Sequence, residues 1–340
     1  MSDVEACNAE LEDAIARDPY DVDLYAVYAD WLQQRGHVRG ELIAAQLAEL
    51  RGSAEAVEAR EDLLAIHAGA LLGPLASDRH LALTWRCGFV HAAAAAAGED
   101  ATSRELLRGL ATLLAHPSGR LLVRLDVRIT HGGPELVELL AAHAPPTLRD
   151  LRIATEGELE LAELWPRCRR LRGLAISAAS SHPGELVLPQ LERAAFHHLD
   201  TTDAAARAIA AAHVPELVEL DLWLGRGVAH AEPLRDLLHR ERPLLQRLRL
   251  RAAACAPGFA SALTQSGLAA QLLELDLSHN PLLGGEDLRL LARSKVIFER
   301  LRELRVPEVH ANEQVRAWFA GTRIEVLGDS EEPPWSAYVP

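Results

Sequence analysis

Lysine is all but missing from this chain. Lys295 stands alone among 35 basic residues, so 34 (35 − 1) are arginine. Arginine forks lie across carboxylates in two-point contacts and stack on aromatic rings. There is no surplus of positive charge either: the formal net charge is −14. Phosphate neutralisation needs excess Lys and Arg, so nonspecific DNA or RNA binding is not expected. Attraction to an anionic membrane surface is excluded on the same ground. Cysteine pairs are absent as well. Cys7, Cys87, Cys168 and Cys255 are scattered with no C-x-x-C, which suggests neither a disulfide framework nor a zinc knuckle. Read as reduced, mostly buried thiols, they point to a reducing compartment, and the expected location is cytoplasmic. Met1-Ser2-Asp3-Val4-Glu5 lacks the apolar core of a secretory signal. The alanine run at 92–97 is too short to span a membrane. No G-x-S-x-G, P-loop, G-x-G-x-x-G or H-E-x-x-H occurs.

What the chain has instead is a recurring phrase, L-x-x-L-x-L. It reads Leu122-Leu125-Val127, Leu148-Leu151-Ile153, Leu171-Leu174-Ile176, Leu217-Leu220-Leu222, Leu245-Leu248-Leu250, Leu272-Leu275-Leu277 and Leu301-Leu304-Val306. A degenerate copy stands at Leu191-Ala194-Phe196. The starts at 122, 148, 171, 191, 217, 245, 272 and 301 are separated by 20 to 29 residues. That period and phrase are the signature of leucine-rich repeats. The expected fold class is α/β: a leucine-rich-repeat solenoid, parallel strands on the concave side and helices on the convex side, with a small all-α N-terminal domain. Helical stretches are expected at 135–143, 203–213, 232–240, 260–270, 286–293 and 312–320, and a closing strand at 323–327. An atypical first turn is expected over 75–98, where Leu81, Leu83 and Trp85 alternate like a strand. The domain boundaries follow: helical 1–74, a repeat arc of about eight units over 75–328, and an acidic, proline-rich tail over 329–340. The repeat's usual inner-ladder asparagine occurs only at Asn280, so the ladder needs other donors.

In the N-terminal segment, Asp21 can cap a helix in which Leu24, Val27, Tyr28, Trp31 and Leu32 form one apolar stripe. Gly36 suits its end, and helices over about 38–50 and 54–72 follow. Within it, Tyr28-Ala29-Asp30-Trp31-Leu32, then Arg35-Gly36, then Arg39-Gly40-Glu41 and Gln46 resemble the bacterial repeat-companion domain of myxobacterial and planctomycete type. The likeness covers roughly 9–50. His37-Val38 replaces that family's usual aspartate-proline, and Leu42 its phenylalanine. The resemblance implies a repeat-associated protein and supplies no enzyme activity. Tyr28 and Trp31 read as core, with Asp30 or Arg35 in a structural ion pair.

Leucines that point inward leave the alternating positions facing outward. One outward column runs Asp126, Arg152, Ala175, Ala195, Asp221, Arg249, Asp276, Arg305. The column before it runs Arg124, Asp150, Gly173, Arg193, Glu219, Arg247, Glu274, Glu303. Opposite charges then meet across strands: Asp126 with Arg152, Arg124 with Asp150, Asp221 with Arg249, Arg249 with Asp276, Glu219 with Arg247. This breaks up the basic patch that Arg247, Arg249 and Arg251 suggest in one dimension. The third column carries Arg128, His197, Trp223 and Arg251. Trp and Arg are the residues most enriched at binding hot spots. The candidate partner-binding residues are therefore Trp223, Arg251, Arg128, His197, Arg152 and Arg249. Trp223 can equally be covered by Gly225-Arg226-Gly227 or by the tail. His197 and His198 point to opposite faces of a strand, so no shared metal is expected. No cofactor is implied. The expected role is a non-enzymatic interaction or scaffold protein that recognises a protein partner, with no nucleic acid and no membrane. The alternative is a target-recognition or regulatory subunit of a larger signalling, protease or defence assembly whose catalysis lies in another chain.

Overall fold

The computed structural model describes residues 7–96, 103–240, 242–294 and 298–329. Beyond Asp329, the expected tail lies outside the described residues. The chain forms two compact units, Met1–Leu151 and Arg152–Pro340. It is a mixed α/β protein with a helical N-terminal region and a large sheet dominated by parallel strands. No helix among the described residues is long and apolar enough to cross a membrane.

The first unit opens with α1 (Ala9–Arg17), α2 (Val22–Gln33), α3 (Val38–Leu50) and α4 (Ala54–Leu72). Asp21 caps α2 by accepting from the Asp23 and Leu24 amides. Gly36, at φ +68, turns the chain out of α2. The buried face of α2 is Tyr25, Tyr28, Ala29 and Leu32. This corrects the expected stripe: Val27 is 53% exposed, while Leu24 and Trp31 are only partly buried. The helix is rotated because its face meets more than its neighbouring helices. β1 (Leu81–Arg86) and β2 (Phe89–Ala96) form an antiparallel hairpin, and Cys87 and Phe89 from its turn join Tyr25, Tyr28, Leu32, Ile43 and Leu121 in one core. The alanine run is strand, parallel to β3 (Arg124–Ile129), with Ala93 and Ala95 buried. Packing overrides the helical preference of alanine here. The unit is completed by α5 (Ser103–Ala115) and α6 (Gly133–His143), and β4 (Asp150–Thr155) spans the boundary between units.

Arginine, not lysine, holds this unit together. Arg39 is 1% exposed. Its guanidinium donates to the Gly88 carbonyl at 2.5 Å and to Ser118 Oγ at 2.9 Å, and lies over the Phe89 ring. Burial pushes its pKa down to about 10, so it stays protonated at neutral pH. Gln46 Oε1 accepts from the Gly88 amide at 2.6 Å. Two residues of the companion-like motif thus grip both polar groups of one turn glycine. Gly88 needs its left-handed φ of +76, and a Cβ there would lie 2.4 Å from Ile43 Cγ1. Gly40 is also sterically required: a Cβ would lie 2.8 Å from the Ala29 carbonyl oxygen, where α2 and α3 approach. Tyr28 donates to Glu12, and Arg120 bonds both Tyr28 Oη (2.6 Å) and Glu12 (2.9 Å). Arg149 donates to the Ala16 and Arg17 carbonyls at the end of α1. Arg35, one of the two candidates for a structural ion pair, stacks instead: its guanidinium sits 3.9 Å from the Trp31 ring centre.

In the second unit β6 (Gly173–Ala178), β8 (Arg193–His198), β9 (Glu219–Trp223), β10 (Arg247–Arg251), β11 (Glu274–Asp276), β12 (Glu303–Arg305) and β13 (Glu325–Leu327) form a parallel run, each paired to the next. The register places Leu220, Leu248, Leu275, Leu304 and Val326 level, all buried. β5 (Glu158–Glu160) and β7 (Ser180–His182) form a separate two-stranded sheet that the repeat phrase does not announce. The helices between strands are α7 (Asp203–Ala210), α8 (Arg235–His239), α9 (Ala256–Leu263), α10 (Gly285–Arg293) and α11 (Glu313–Trp318); all but α10 are shorter than expected. The inner ladder is satisfied by varied donors. Asn280 donates to the Leu250 and Leu277 carbonyls and accepts from the Ala253 amide, all within 2.8 Å. Arg242 donates to the Ala210 carbonyl, and Gln271 to those of Arg242 and Leu245. Truncating Arg39 to alanine should leave the Gly88 carbonyl and Ser118 buried with lost donors. We expect a loss of about 3 kcal/mol, read as a lowered urea midpoint, with Arg35→Ala within about 1 kcal/mol of wild type.

Candidate functional site

The outward face of β8 to β12 gathers the polar side chains of the second unit. Alternation alone puts Glu219, Asp221 and Trp223 on this face of β9, opposite Leu220 and Leu222. Register then sets Arg247, Arg249 and Arg251 beside them and Glu274 and Asp276 beyond.

Asp221 is the hub. It is 8% exposed and accepts from Arg251 Nη2 at 2.8 and 2.6 Å. His197 Nε2 stands 3.3 Å and Arg249 Nη1 3.7 Å from Asp221 Oδ2. Burial alone would raise the Asp221 pKa. Hydrogen bonding and charge from His197 and the Arg251 guanidinium outweigh it and hold the carboxyl at about 2. Arg249 also bonds Glu219 and lies 3.9 Å from Glu274, while Arg247 bonds Glu274 at 3.0 Å. Arg247–Glu274 and Arg249–Asp221 meet directly across the register, while the Arg251–Asp221 and Arg249–Glu219 contacts run diagonally, because long side chains reach the neighbour two residues away. The expected Arg249–Asp276 bond is replaced: Asp276 Oδ1 accepts from the Ser278 amide, closing its own strand end.

The six candidate residues separate by burial. Trp223 and Arg251 are 8% and 7% exposed, so neither is an open anchor. The Trp223 ring packs 5.3 Å from the His279 ring, with the Arg251 guanidinium 5.4 Å from its centre. His197 is turned into the Asp221 cluster. Arg249 is about one-third exposed, Arg128 is half exposed beside Asp126 of its own strand, and Arg152 is exposed. Arg124 and Asp150 meet at 3.5 Å, as expected. Trp223, Arg251, His197 and Arg249 form one cluster, while Arg128 belongs to the first unit. Sequence reasoning missed His279, whose backbone is left-handed at φ +54, and Ala252, its equivalent one strand earlier, at φ +46. Such a conformation costs a non-glycine residue about 1 kcal/mol, and here it turns the His279 ring onto Trp223.

His198 faces the other way, as alternation requires. It is fully buried, with Nε2 2.8 Å from Ser181 Oγ and Nδ1 3.2 Å from Thr201 Oγ1. Burial pushes its pKa down to about 4, so the ring is neutral at physiological pH. Both hydroxyls are buried, so this trio is a packed polar knot without solvent access. Cys87, Cys168 and Cys255 are buried thiols, the latter two pushed up by burial to about 12 and about 11, and Cys7 is exposed. Among the described residues no group of three or more His, Cys, Asp or Glu side chains is placed to hold a metal ion.

No family model matches the sequence, and no curated protein matches it. Solved structures do. A protein of Bacteroides fragilis, determined by a structural genomics consortium, superposes with a TM-score of 0.57 at 16% identity, covering 82% of this chain and 85% of its own. That likeness is one of fold alone. An internalin of Listeria monocytogenes aligns over 71% of this chain and 87% of its own at 12% identity, with a TM-score of 0.25 that carries no weight.

The site makes two pH predictions. A carboxyl held at about 2 in the folded chain stabilises it above the ordinary carboxylate range, and that contribution is lost as pH falls from about 4 to about 2. Wild type should lose about 2 kcal/mol over this window, and Asp221→Asn should flatten the limb in urea titrations. His198, neutral when folded, must charge on unfolding, so its contribution is full above about 6.5 and lost towards pH 4. Its imidazole resonances should still report the neutral ring at pH 5.

Proposed function

We propose that this chain is a non-enzymatic interaction protein, a leucine-rich-repeat solenoid that recognises a protein partner through the outward face of its strands. The observation that carries this reading is the in-register rank of partly exposed Glu219, Arg247, Arg249, Glu274, Glu303 and Arg305. Such a face offers a fixed pattern of both charges on a rigid sheet, which gives orientation and partner discrimination more than raw affinity. On the same face the buried Arg251, its guanidinium beside the Trp223 ring, holds Asp221 next to Arg249. The partly exposed Arg247, Arg249 and Arg305 and the more open Arg128 and Arg152 are then the contact residues, and Trp223, Arg251 and His197 support them. The N-terminal helices are assigned to the repeat-companion domain, whose motif arginine and glutamine serve here to lock it onto the hairpin turn. No cofactor, nucleic acid or membrane enters this reading, and the location proposed is cytoplasmic. The domain division 1–74, 75–328 and 329–340 remains the functional one proposed: companion helices, repeat surface and tail.

The test is affinity capture from native lysate with wild type, an Arg247→Glu/Arg305→Glu variant, and an Arg289→Glu variant on α10 as a control. We expect a stoichiometric partner with wild type and the control, and loss of about tenfold or more in capture with the face variant. Equal capture by all three would move the site off this face.

A further inference from the structure

Three carboxylates stand level on β11, β12 and β13. Glu274 pairs with Glu303, and Glu303 with Glu325, all on the outward face. Neighbouring strands lie about 4.8 Å apart, and like charges directly opposite one another destabilise a sheet. The chain answers them only in part. Arg247 bonds Glu274 and Arg305 bonds Glu303, yet each of these carboxylate side chains stays 33% exposed. Glu325 is exposed and has no ion-pair partner among the described residues. A fourth carboxylate adds to the imbalance. Alternation aims Asp276 at the same face, since Leu275 is buried on the other. Asp276 is 3% exposed, its Oδ1 accepts from the Ser278 amide, and its Oδ2 makes no hydrogen bond. A buried carboxylate oxygen without a donor is costly. Arg249 and Arg305 stand level with Asp276 on either side, but their guanidiniums bond Glu219 and Glu303 instead.

We propose that the outward face of β11 to β13 receives a basic, extended segment of the protein partner, whose cationic side chains take Glu274, Glu303 and Glu325 and release Arg305 to complete Asp276. This rests on the outward-face reading above and names the chemistry of one part of the partner. Charge carries it: β11, β12 and β13 hold Glu274, Asp276, Glu303 and Glu325 against Arg305 alone, with Arg323 two residues before Glu325. The formal net charge of −14 also draws cations from a distance. Spacing fits as well. Two strand spacings carry the glutamate ladder across about 10 Å, and alternate residues of an extended segment project to one side about 7 Å apart. Two basic residues at alternate positions therefore reach all three glutamates through their long stems. A cation arriving on Glu303 competes with Arg305 for it, and Arg305 stands level with the Asp276 oxygen that lacks a donor. The site thus gains two contacts for each cation that settles on Glu303.

The probe is a dye-labelled peptide of alternating arginine and serine, with a glutamate–serine peptide of equal length as its opposite. Each is titrated with the full chain and read by fluorescence anisotropy, and circular dichroism checks that every variant is folded. We expect the arginine peptide to bind. Glu303→Gln/Glu325→Gln keeps an acceptor for Arg305 and removes two charges, and should weaken binding about tenfold. Asp276→Asn keeps Oδ1 for the Ser278 amide and should weaken it about threefold. Glu10→Gln/Glu55→Gln removes two charges from exposed positions on α1 and α4 and should bind as wild type. A loss in that control equal to the loss at Glu303 and Glu325 would reduce the effect to net charge and overturn the proposal. So would wild-type binding by either face variant, tighter binding of the glutamate peptide, or no binding of the arginine peptide. Capture from lysate keeps the two readings apart. A partner lost with Arg247→Glu/Arg305→Glu but held in full by Glu303→Gln/Glu325→Gln overturns the basic segment and leaves the outward-face reading standing.

Discussion

Everything in the second unit depends on one constraint, the parallel register that keeps each strand level with the next. Side chains alternate along a strand, so a slip of one residue would send every leucine outward and every charge inward. The leucines enforce the register by burial, worth roughly 1.5 to 3 kcal/mol for each side chain. The charges discriminate against slipped pairings, because the slip would set them in the core. Asp221 shows how tightly the outward side is tied to this order. It is buried and ionised, and it stays so because Arg251 and His197 arrive beside it from the two neighbouring strands.

Arginine solves a recurring problem in this chain, that of unsatisfied backbone carbonyls at the ends of helices and turns. Arg39 reaches the Gly88 carbonyl, Arg149 those of Ala16 and Arg17, and Arg242 that of Ala210. A guanidinium can do this while buried because its charge is delocalised and its donors fan out in a plane. An ammonium would be harder to desolvate. A chain with one lysine thus uses several of its arginines as internal struts.

The same residues link architecture to function. The guanidiniums that remain partly exposed, Arg247, Arg249 and Arg305, are held by carboxylates on their own sheet. A surface prepared in this way loses little side-chain freedom on binding. In the function proposed, it would also repel partners whose charges fall out of step with its own.

Much of the fold was legible in the primary structure. The leucine phrase located the repeat strands, Asp21 and Gly36 bounded α2, and alternation assigned His197 and His198 to opposite faces. The candidate site was legible only as columns. Two of the arginine–carboxylate contacts depended on diagonal reach, and the buried Trp223 ring packs beside His279, whose left-handed turn no local pattern signals. The two-stranded β5–β7 sheet and the hairpin contribution to the helical core were likewise invisible, since both join segments far apart in sequence. The sequence by itself determined period, register and the outward or inward sense of each side chain, because these follow from backbone geometry and hydrophobicity. Only the tertiary structure decided burial and pairing on the outward face, because there a charge is stabilised by whatever neighbouring strands bring beside it.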